Sequence, residues 1–470
     1  MIHHIAASLL TISLFCAPLL AEVKPVTGTF INFFWQDERN NYMNQRDVDM
    51  SDPELWATKT AELHEIGVDY LVLVAVANEE KAFYPSNLMD HGFPKGRRSP
   101  IDAIMDTADS LGMHVFMSCG HARNQHDHFG DPFVVRRQRE MIEELAAIYG
   151  KRPSFYGWYL PIEGCMIPWF PDYAAEDLNK VADRARELTP EAKIMISPYG
   201  IFAGEVGSQK FADQIYKLKV DIIAYQDEIG CVREECPMRN MKDHFRQLAD
   251  IHSKCGIELW ANVESFTWDR GLNNWYSALI PAAFGRYLSQ IVGVSDAGVD
   301  RIISFSIVGI FDKPGSTHPI GQPVLSNLAW QNYIDWLAGN RRWKLLESLL
   351  REGAPSEDPS DNGWQHYDGT METIIDLKKK THIESVAALF LNYRPQDIII
   401  PQSFEILISN DGKRFTHLTT VAYEGWPNNL HDCWSDIIMA DGLDARTRFV
   451  KVRAVATSGS ILCAGIHVNR

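Results

Sequence analysis

The sequence predicts an α/β barrel of eight strand–helix units, followed by an all-β module. Three observations carry this. Over the first 350 residues, short β-branched and aromatic runs alternate with longer segments of helical periodicity. No glycine-rich phosphate loop follows the first run, which favours a closed barrel over a doubly wound open sheet. After a polar linker, REGAPSEDPSDN at 351–362, helical periodicity stops and short strand patterns take over. The chain thus reads as a (β/α)8 (TIM) barrel over residues 22–350 and an all-β sandwich over 363–470.

The strand runs are Thr29–Trp35, Tyr70–Val76, His114–Cys119, Phe155–Ile162, Lys193–Ser197, Asp221–Gln226, Glu258–Val263 and Arg301–Ile307. Several open alike, as in IGVDYLVL, LGMHVFM and AGVDRIISF: a helix end, a tight turn and a buried strand start. Helices are expected over Pro53–Ile66, Ser99–Leu111, Asp131–Tyr149, Tyr173–Leu188, Ser208–Leu218, Met238–Lys254, Trp275–Asp296 and Leu325–Leu337. In the tail, METIIDL, IESVAALFL, QSFEILIS, FTHLTTV, RFVKVRAVA and ILCAGIHV read as strands, with an Asp-Gly turn at 409–415.

At 470 residues, 46% hydrophobic and 23% charged, the chain has the composition of a globular protein of about two domains. Its net charge of −16 argues against nucleic acid as a partner, since a phosphate backbone recruits basic surfaces. Residues 1–21 read as a secretory signal. His3 and His4 precede an apolar run, Ile5 to Leu20, that ends at Ala21 and is too short for a membrane span. Export to the periplasm or beyond is the expectation. Cys16 is disfavoured as a lipid anchor, because bulky Phe15 precedes it. Later segments do not read as membrane spans. Of eight cysteines, seven would remain after cleavage. Cys231 and Cys236 are close enough to clip a loop, and mostly buried free thiols are expected.

In such a barrel the chemistry lies at the C-terminal strand ends. Glu163 follows the fourth strand, and Glu264 follows the seventh. Gln226, Asp227 and Glu228 follow the sixth, Asn78 and Glu79 the second, and Trp35, Gln36, Asp37 and Glu38 the first. Cleaving a glycosidic bond needs two carboxyls flanking it, one protonated and one ionised. Glu163 follows an apolar run, so desolvation would raise it into the useful range for a proton donor. Glu264 is then the nucleophile, with Asn262 or Asp227 to orient it. An alternative uses Asp227 as the second carboxylate, and another makes the chain a non-catalytic glycan-binding protein. For Glu38 and Glu79 a surface role is the simpler reading.

The mouth is also aromatic, and flat rings pack on the C–H faces of sugars. Trp35 and Trp268 are the expected sugar platforms. Asn78, His121, Arg123 and Tyr199 are expected to contact substrate, as are Gln226 and Asn262. His121, His126 and His128 lie in one loop with Asp127, but no second cluster or H-E-x-x-H pattern accompanies them. Neither a metal nor another cofactor is expected, and the partner is an oligosaccharide or polysaccharide.

The fourth-strand acid and seventh-strand nucleophile resemble clan A of the retaining glycoside hydrolases. Ile162 stands where members of that clan usually have Asn. GTFINFFW, GWYLPIE, IAYQDEIG and LWANVESF resemble more narrowly a bacterial family of glycosidase-like barrels carried as a domain of unknown function. The resemblance implies a barrel hydrolase acting by double displacement. The tail, through ETIIDL, FEILISNDGKRF and RFVKVRA, is similar to the discoidin (coagulation factor 5/8 type C) jelly roll. Such modules sometimes bind sugars through their loops, which would make Trp364, His366 and Trp426 the residues to test.

Overall fold

The computed structural model describes residues 22–469 except 34–47, 125, 162, 165, 234–236, 272–276, 356 and 428–431. The leader stretch with Cys16, the platform candidate Trp35 with its neighbours Gln36, Asp37 and Glu38, and Cys236 lie outside the described residues.

Eight parallel strands close a barrel: β1 (Val26–Ile31), β2 (Tyr70–Leu73), β3 (His114–Ser118), β4 (Phe155–Tyr159), β5 (Lys193–Ile196), β6 (Ile222–Gln226), β7 (Glu258–Glu264) and β8 (Arg301–Phe305). β8 returns to β1, Val26 pairing with Ile302. Strand starts fall within a residue of expectation except at β1, which begins three residues earlier. Outside run α1 (Pro53–Glu65), α2 (Pro100–Leu111), α3 (Pro132–Tyr149), α4 (Ala174–Leu188), α5 (Gln209–Ile215), α6 (Met238–His252), α7 (Phe284–Ala297) and α8 (Leu325–Leu337). Local chemistry sets the early ones. Asp52, Ser99 and Asp131 each cap a first turn and are followed by proline, whose missing N–H is harmless there.

Alternation decides what fills the lumen. Phe30, Val72, Phe116, Tyr159, Met195, Ala224, Trp260 and Ile303 share one interior cluster. Their odd-phase neighbours Ile223, Tyr225 and Ala261 pack against the helices instead. Gly157 is required by closeness: a Cβ there would meet the Lys193 carbonyl oxygen of the next strand at 2.2 Å.

Two segments depart from the sequence reading. The helix expected from Trp275 begins only at Phe284, because Leu279–Pro281 pairs antiparallel with Phe266–Trp268 and a proline cannot sit inside a helix. A further helix, α9 (Arg341–Arg351), follows α8, capped by the Asn340 side chain.

The tail comprises β9 (Gln365–Ile383), β10 (Ser385–Tyr393), β11 (Ser403–Ser409), β12 (Thr416–Ala422), β13 (Cys433–Ala440) and β14 (Ala445–Asn469). They make one hydrogen-bonded antiparallel sheet, in which β9, β10 and β11 all pair with the 25-residue β14. The all-β content is as expected; the hydrogen bonding is that of one continuous sheet. β13 escapes the pattern search because it is buried on both faces and so does not alternate. No helix among the described residues is long and apolar enough to cross a membrane.

Charge complementarity joins the barrel to the linker and the sheet. Arg233 meets Glu357 at 2.8 Å, Arg239 meets Asp358 at 2.5 Å, and Arg286 meets Asp432 at 3.1 Å. Arg341 meets Asp441 at 2.6 Å and Arg342 meets Asp436 at 2.5 Å. The Arg233 and Arg286 pairs are buried, and removing one partner of such a pair typically costs about 3–5 kcal/mol. The two parts are therefore docked firmly.

Candidate active site

The period-two alternation that fills the lumen continues to its mouth. Along β7, Trp260, Asn262 and Glu264 share one phase; along β6, Ala224 and Gln226 do. Gln226 and Asn262 are register partners on adjacent strands. Gln226 Nε2 donates to Glu163 Oε1 at 3.1 Å and to the Ser197 carbonyl at 3.1 Å. Asn262 Nδ2 donates to Ser197 Oγ at 3.1 Å. A polar bridge thus runs from Glu163, just past β4, to the residue two before Glu264.

Glu163 is exposed at its surface yet surrounded by protein. That partial desolvation pushes its carboxyl up to about 7, against the opposing donation from Gln226. Glu264 is 2% exposed, and its Oε2 accepts the Cys231 backbone N–H at 2.7 Å. Burial is the main cause that raises its carboxyl, and the negative charges of Asp227 and Glu228 add to it. Gly230 makes the approach possible: a Cβ there would lie 2.9 Å from Glu264 Oε2 and 2.8 Å from the Phe266 carbonyl oxygen.

Asp227 follows Gln226 and so falls in the outward phase. It is fully buried, facing the helix layer and not the cleft. Its Oδ2 accepts Gln290 Nε2 at 2.6 Å, and its Oδ1 accepts the Glu264 backbone N–H at 3.1 Å. Burial raises its carboxyl, while Gln290, those backbone groups and the Arg286 charge pull it back toward the anion. Two roles are expected for Asp227, second carboxylate and orienting group for Glu264; its bonds here run to the Gln290 side chain and the Glu264 backbone. Glu228, at φ 59°, turns back to accept the Gly200 N–H at 2.9 Å and the Phe202 N–H at 3.2 Å. It anchors the loop carrying half-buried Tyr199, and burial pushes it up to about 7.

The remaining candidates divide. Asn78 is half-buried past β2, and its Oδ1, like that of Asn262, is a buried acceptor with no hydrogen-bond partner among the described residues. His121 is 5% exposed, and burial holds its imidazole down to about 4, hence neutral. Arg123 is engaged elsewhere: it pairs with Asp131 at 2.8 Å and lies 4.5 Å from the Phe133 ring centre, so it stabilises its own loop. Trp268, 5% exposed with Nε1 directed to the Cys231 carbonyl at 3.4 Å, has no open ring face for a sugar. Trp158, Tyr159, Tyr225, Trp260 and Phe266 are likewise packing residues. In the tail, Trp426 is buried, and Trp364 Nε1 donates to the Asp358 carbonyl at 3.1 Å. His366 is exposed beside Asp368.

No group of three or more His, Cys, Asp or Glu side chains suited to a metal occurs among the described residues. Cys119, Cys231, Cys255, Cys433 and Cys463 are free thiols; Cys119, Cys433 and Cys463 are buried. Sequence reasoning missed Ser197, Gly230, Arg286 and Gln290. Gln290 carried a signal: a lone amide in the apolar stretch YLSQIVGV.

The family described as "Domain of unknown function (DUF4434)" matches residues 26–318. No curated protein matches the sequence. A solved structure titled as a "putative alpha-L-fucosidase" from Bacteroides thetaiotaomicron superposes with a TM-score of 0.53 at 18% identity, covering 71% of this chain and 99% of that chain. An intracellular xylanase from Thermoanaerobacterium saccharolyticum superposes with a TM-score of 0.36 at 16% identity, covering 60% of this chain and 85% of that chain.

Proposed function

The chain belongs to the family described as Domain of unknown function (DUF4434), and on that premise we propose that it is an exported glycoside hydrolase using Glu163 and Glu264. The matched segment contains every residue of the cleft, so the chemistry is sought in the barrel. The observation that carries the proposal is the Gln226–Ser197–Asn262 bridge, which joins two carboxyl-bearing strand ends across one mouth.

Hydrogen-bond donors sort the four carboxyls. Asp227 and Glu228 have both oxygens engaged by N–H donors and serve as anchors. Glu163 and Glu264 keep capacity for substrate. Glu163, poised near neutrality, gives its proton to the leaving oxygen as the C1–O bond breaks. Glu264 first gives up to solvent the proton that burial and the Asp227 and Glu228 charges favour, then bonds as the carboxylate to the anomeric carbon, the Cys231 N–H helping to hold the anion. Water then displaces Glu264, Glu163 takes the water's proton, and configuration at C1 is retained. Asn78 Oδ1 and Asn262 Oδ1 are acceptors suited to sugar hydroxyls.

Carbohydrate as substrate class agrees with the barrel architecture shared with the sugar hydrolase named for the similar structure. Export rests on the apolar leader, and a secreted product beginning at Glu22 would support it. We read the C-terminal sheet over 363–470 as a docked discoidin-like appendage, in keeping with its arginine-bound interface.

The test is hydrolysis of a glycan panel with mass-spectrometric detection, comparing parent, Glu163→Gln and Glu264→Gln. Each variant is expected to fold and to lose roughly 10³-fold or more in kcat/KM. Parent-like rates in either would defeat the assignment. Proton NMR of the first-formed anomer distinguishes retention from inversion.

A further inference from the structure

Helix α7 stands between the cleft and the C-terminal sheet, and both its sides are committed. Toward the cleft, Gln290 Nε2 donates to Asp227 Oδ2 at 2.6 Å and to the Glu264 carbonyl at 3.0 Å. Asp227 Oδ1 accepts the Glu264 N–H at 3.1 Å. The backbone of Glu264 is thus held on both sides. One turn before Gln290, fully buried Arg286 sets its Nε 3.1 Å from Asp432 Oδ2 and donates Nη2 to the Phe266 carbonyl, two residues past Glu264. The sheet presses close: a Cβ on Gly285 would meet the Ser435 carbonyl oxygen of β13 at 1.9 Å.

We propose that Asp432, just before β13 of the C-terminal sheet, is a positioning residue for the cleaving pair: it fixes Arg286, and with it the α7 side chains that hold the Glu264 strand end. The inference rests on the role given to Glu264 above. Mere adhesion between barrel and sheet does not account for the arrangement. Arg239, Arg341 and Arg342 already bind Asp358, Asp441 and Asp436. Arg286, unlike the other four arginines, hydrogen-bonds within the described residues to the peptide chain beside Glu264, at the Phe266 carbonyl.

The charged neighbours fix the direction of the electrostatic effect. Glu264 faces Asp227, Glu228 and Cys231. Asp227 faces Glu264, Glu228 and Arg286. Arg286 faces Asp432, Glu357 and Tyr287, and Asp432 faces Arg233, Glu357 and Cys433 as well. Neutralising Asp432 leaves the Arg286 cation less compensated, which favours the ionised forms of Asp227 and Glu264.

The test uses the full chain with Asp432→Asn, Asp432→Glu and, as control, Asp441→Asn at the exposed Arg341–Asp441 pair. One readout is the pH profile of kcat and KM on whichever aryl glycoside the parent hydrolyses best. The other needs no substrate: the infrared carboxyl titration of Glu264, isolated as the difference from Glu264→Gln. Asp432→Asn is expected to lower kcat about tenfold or more and to move the Glu264 midpoint down by roughly half a unit or more. Asp432→Glu should restore part of both, and Asp441→Asn should change neither. Should Asp432→Asn fail to fold, Arg286→Lys keeps the cation and should still lower kcat at an unchanged midpoint. Loss of thermal stability alone, with the parent's midpoint and profile, would overturn the proposal. Absence of turnover on every aryl glycoside would defeat the hydrolase reading instead, leaving the infrared titration to decide the positioning role.

Discussion

Gln226 donates its side-chain amide to Glu163 at 3.1 Å while a second bond, to the Ser197 carbonyl, fixes that amide in place. The donation favours the ionised form of Glu163 and opposes the desolvation that raises it to about 7. Gln226→Leu should therefore raise Glu163 further. A proton donor must be protonated, so activity falls as pH rises through its pKa. The alkaline limb of kcat/KM set by Glu163 is expected at higher pH in the variant than in the parent, with kcat lower by about tenfold from lost orientation. A limb that stays put or moves downward would show that Gln226 does not act on Glu163.

Stability should fall as the medium turns alkaline. Glu163, Asp227, Glu228 and Glu264 all have folded-state pKa values raised by burial. A raised group adds stability below its unfolded value, and that stability is lost as pH rises through the folded value. The window opens near the ordinary glutamate value of 4.5 and extends past 7. Glu264→Gln removes one such charge from a buried site. Its Tm, relative to the parent, should rise between about pH 5 and pH 9 by on the order of a few degrees. A Tm difference independent of pH would mean that Glu264 is not desolvated as described.

The barrel was legible because its signal is periodic and local. Runs such as YLVL and ELWANVE are bounded by glycine turns and capped helices, so their starts could be read directly. Glu163 and Glu264 are read from strand ends alone; Gln226, which donates to Glu163, pairs in register with Asn262, two residues before Glu264. Asp227 could not be placed from sequence. Its role turns on a single step of phase, which sends Gln226 into the cleft and Asp227 toward α7. Arg123 and Trp268 lie past their barrel strands, yet Asp131 engages the first and packing the second. The α7 side chains lie far along the chain from what they support, Gln290 being 63 residues from Asp227. No local pattern records such a contact.

Gly230 offers the sharpest separation of geometry from charge. A Cβ at 230 would fall 2.9 Å from Glu264 Oε2, 3.0 Å from Glu264 Cβ and 2.8 Å from the Phe266 carbonyl oxygen. Two of these neighbours, a backbone oxygen and a Cβ, cannot rotate away, so the β7 end itself must shift. Gly230→Ala adds no charge and removes no donor. It should cost about 1–3 kcal/mol of stability, as overpacking generally does. Displacing a reacting group by about 1 Å costs on the order of 100-fold in rate, and the loss should appear in kcat with KM little changed. Gly256→Ala is the matched control: a Cβ there meets nothing within 4 Å, and kcat should stay at the parent value. Equal kcat in both alanine variants would mean that Glu264 does not depend on the close approach at 230, and its assignment as the attacking carboxylate would fall with it.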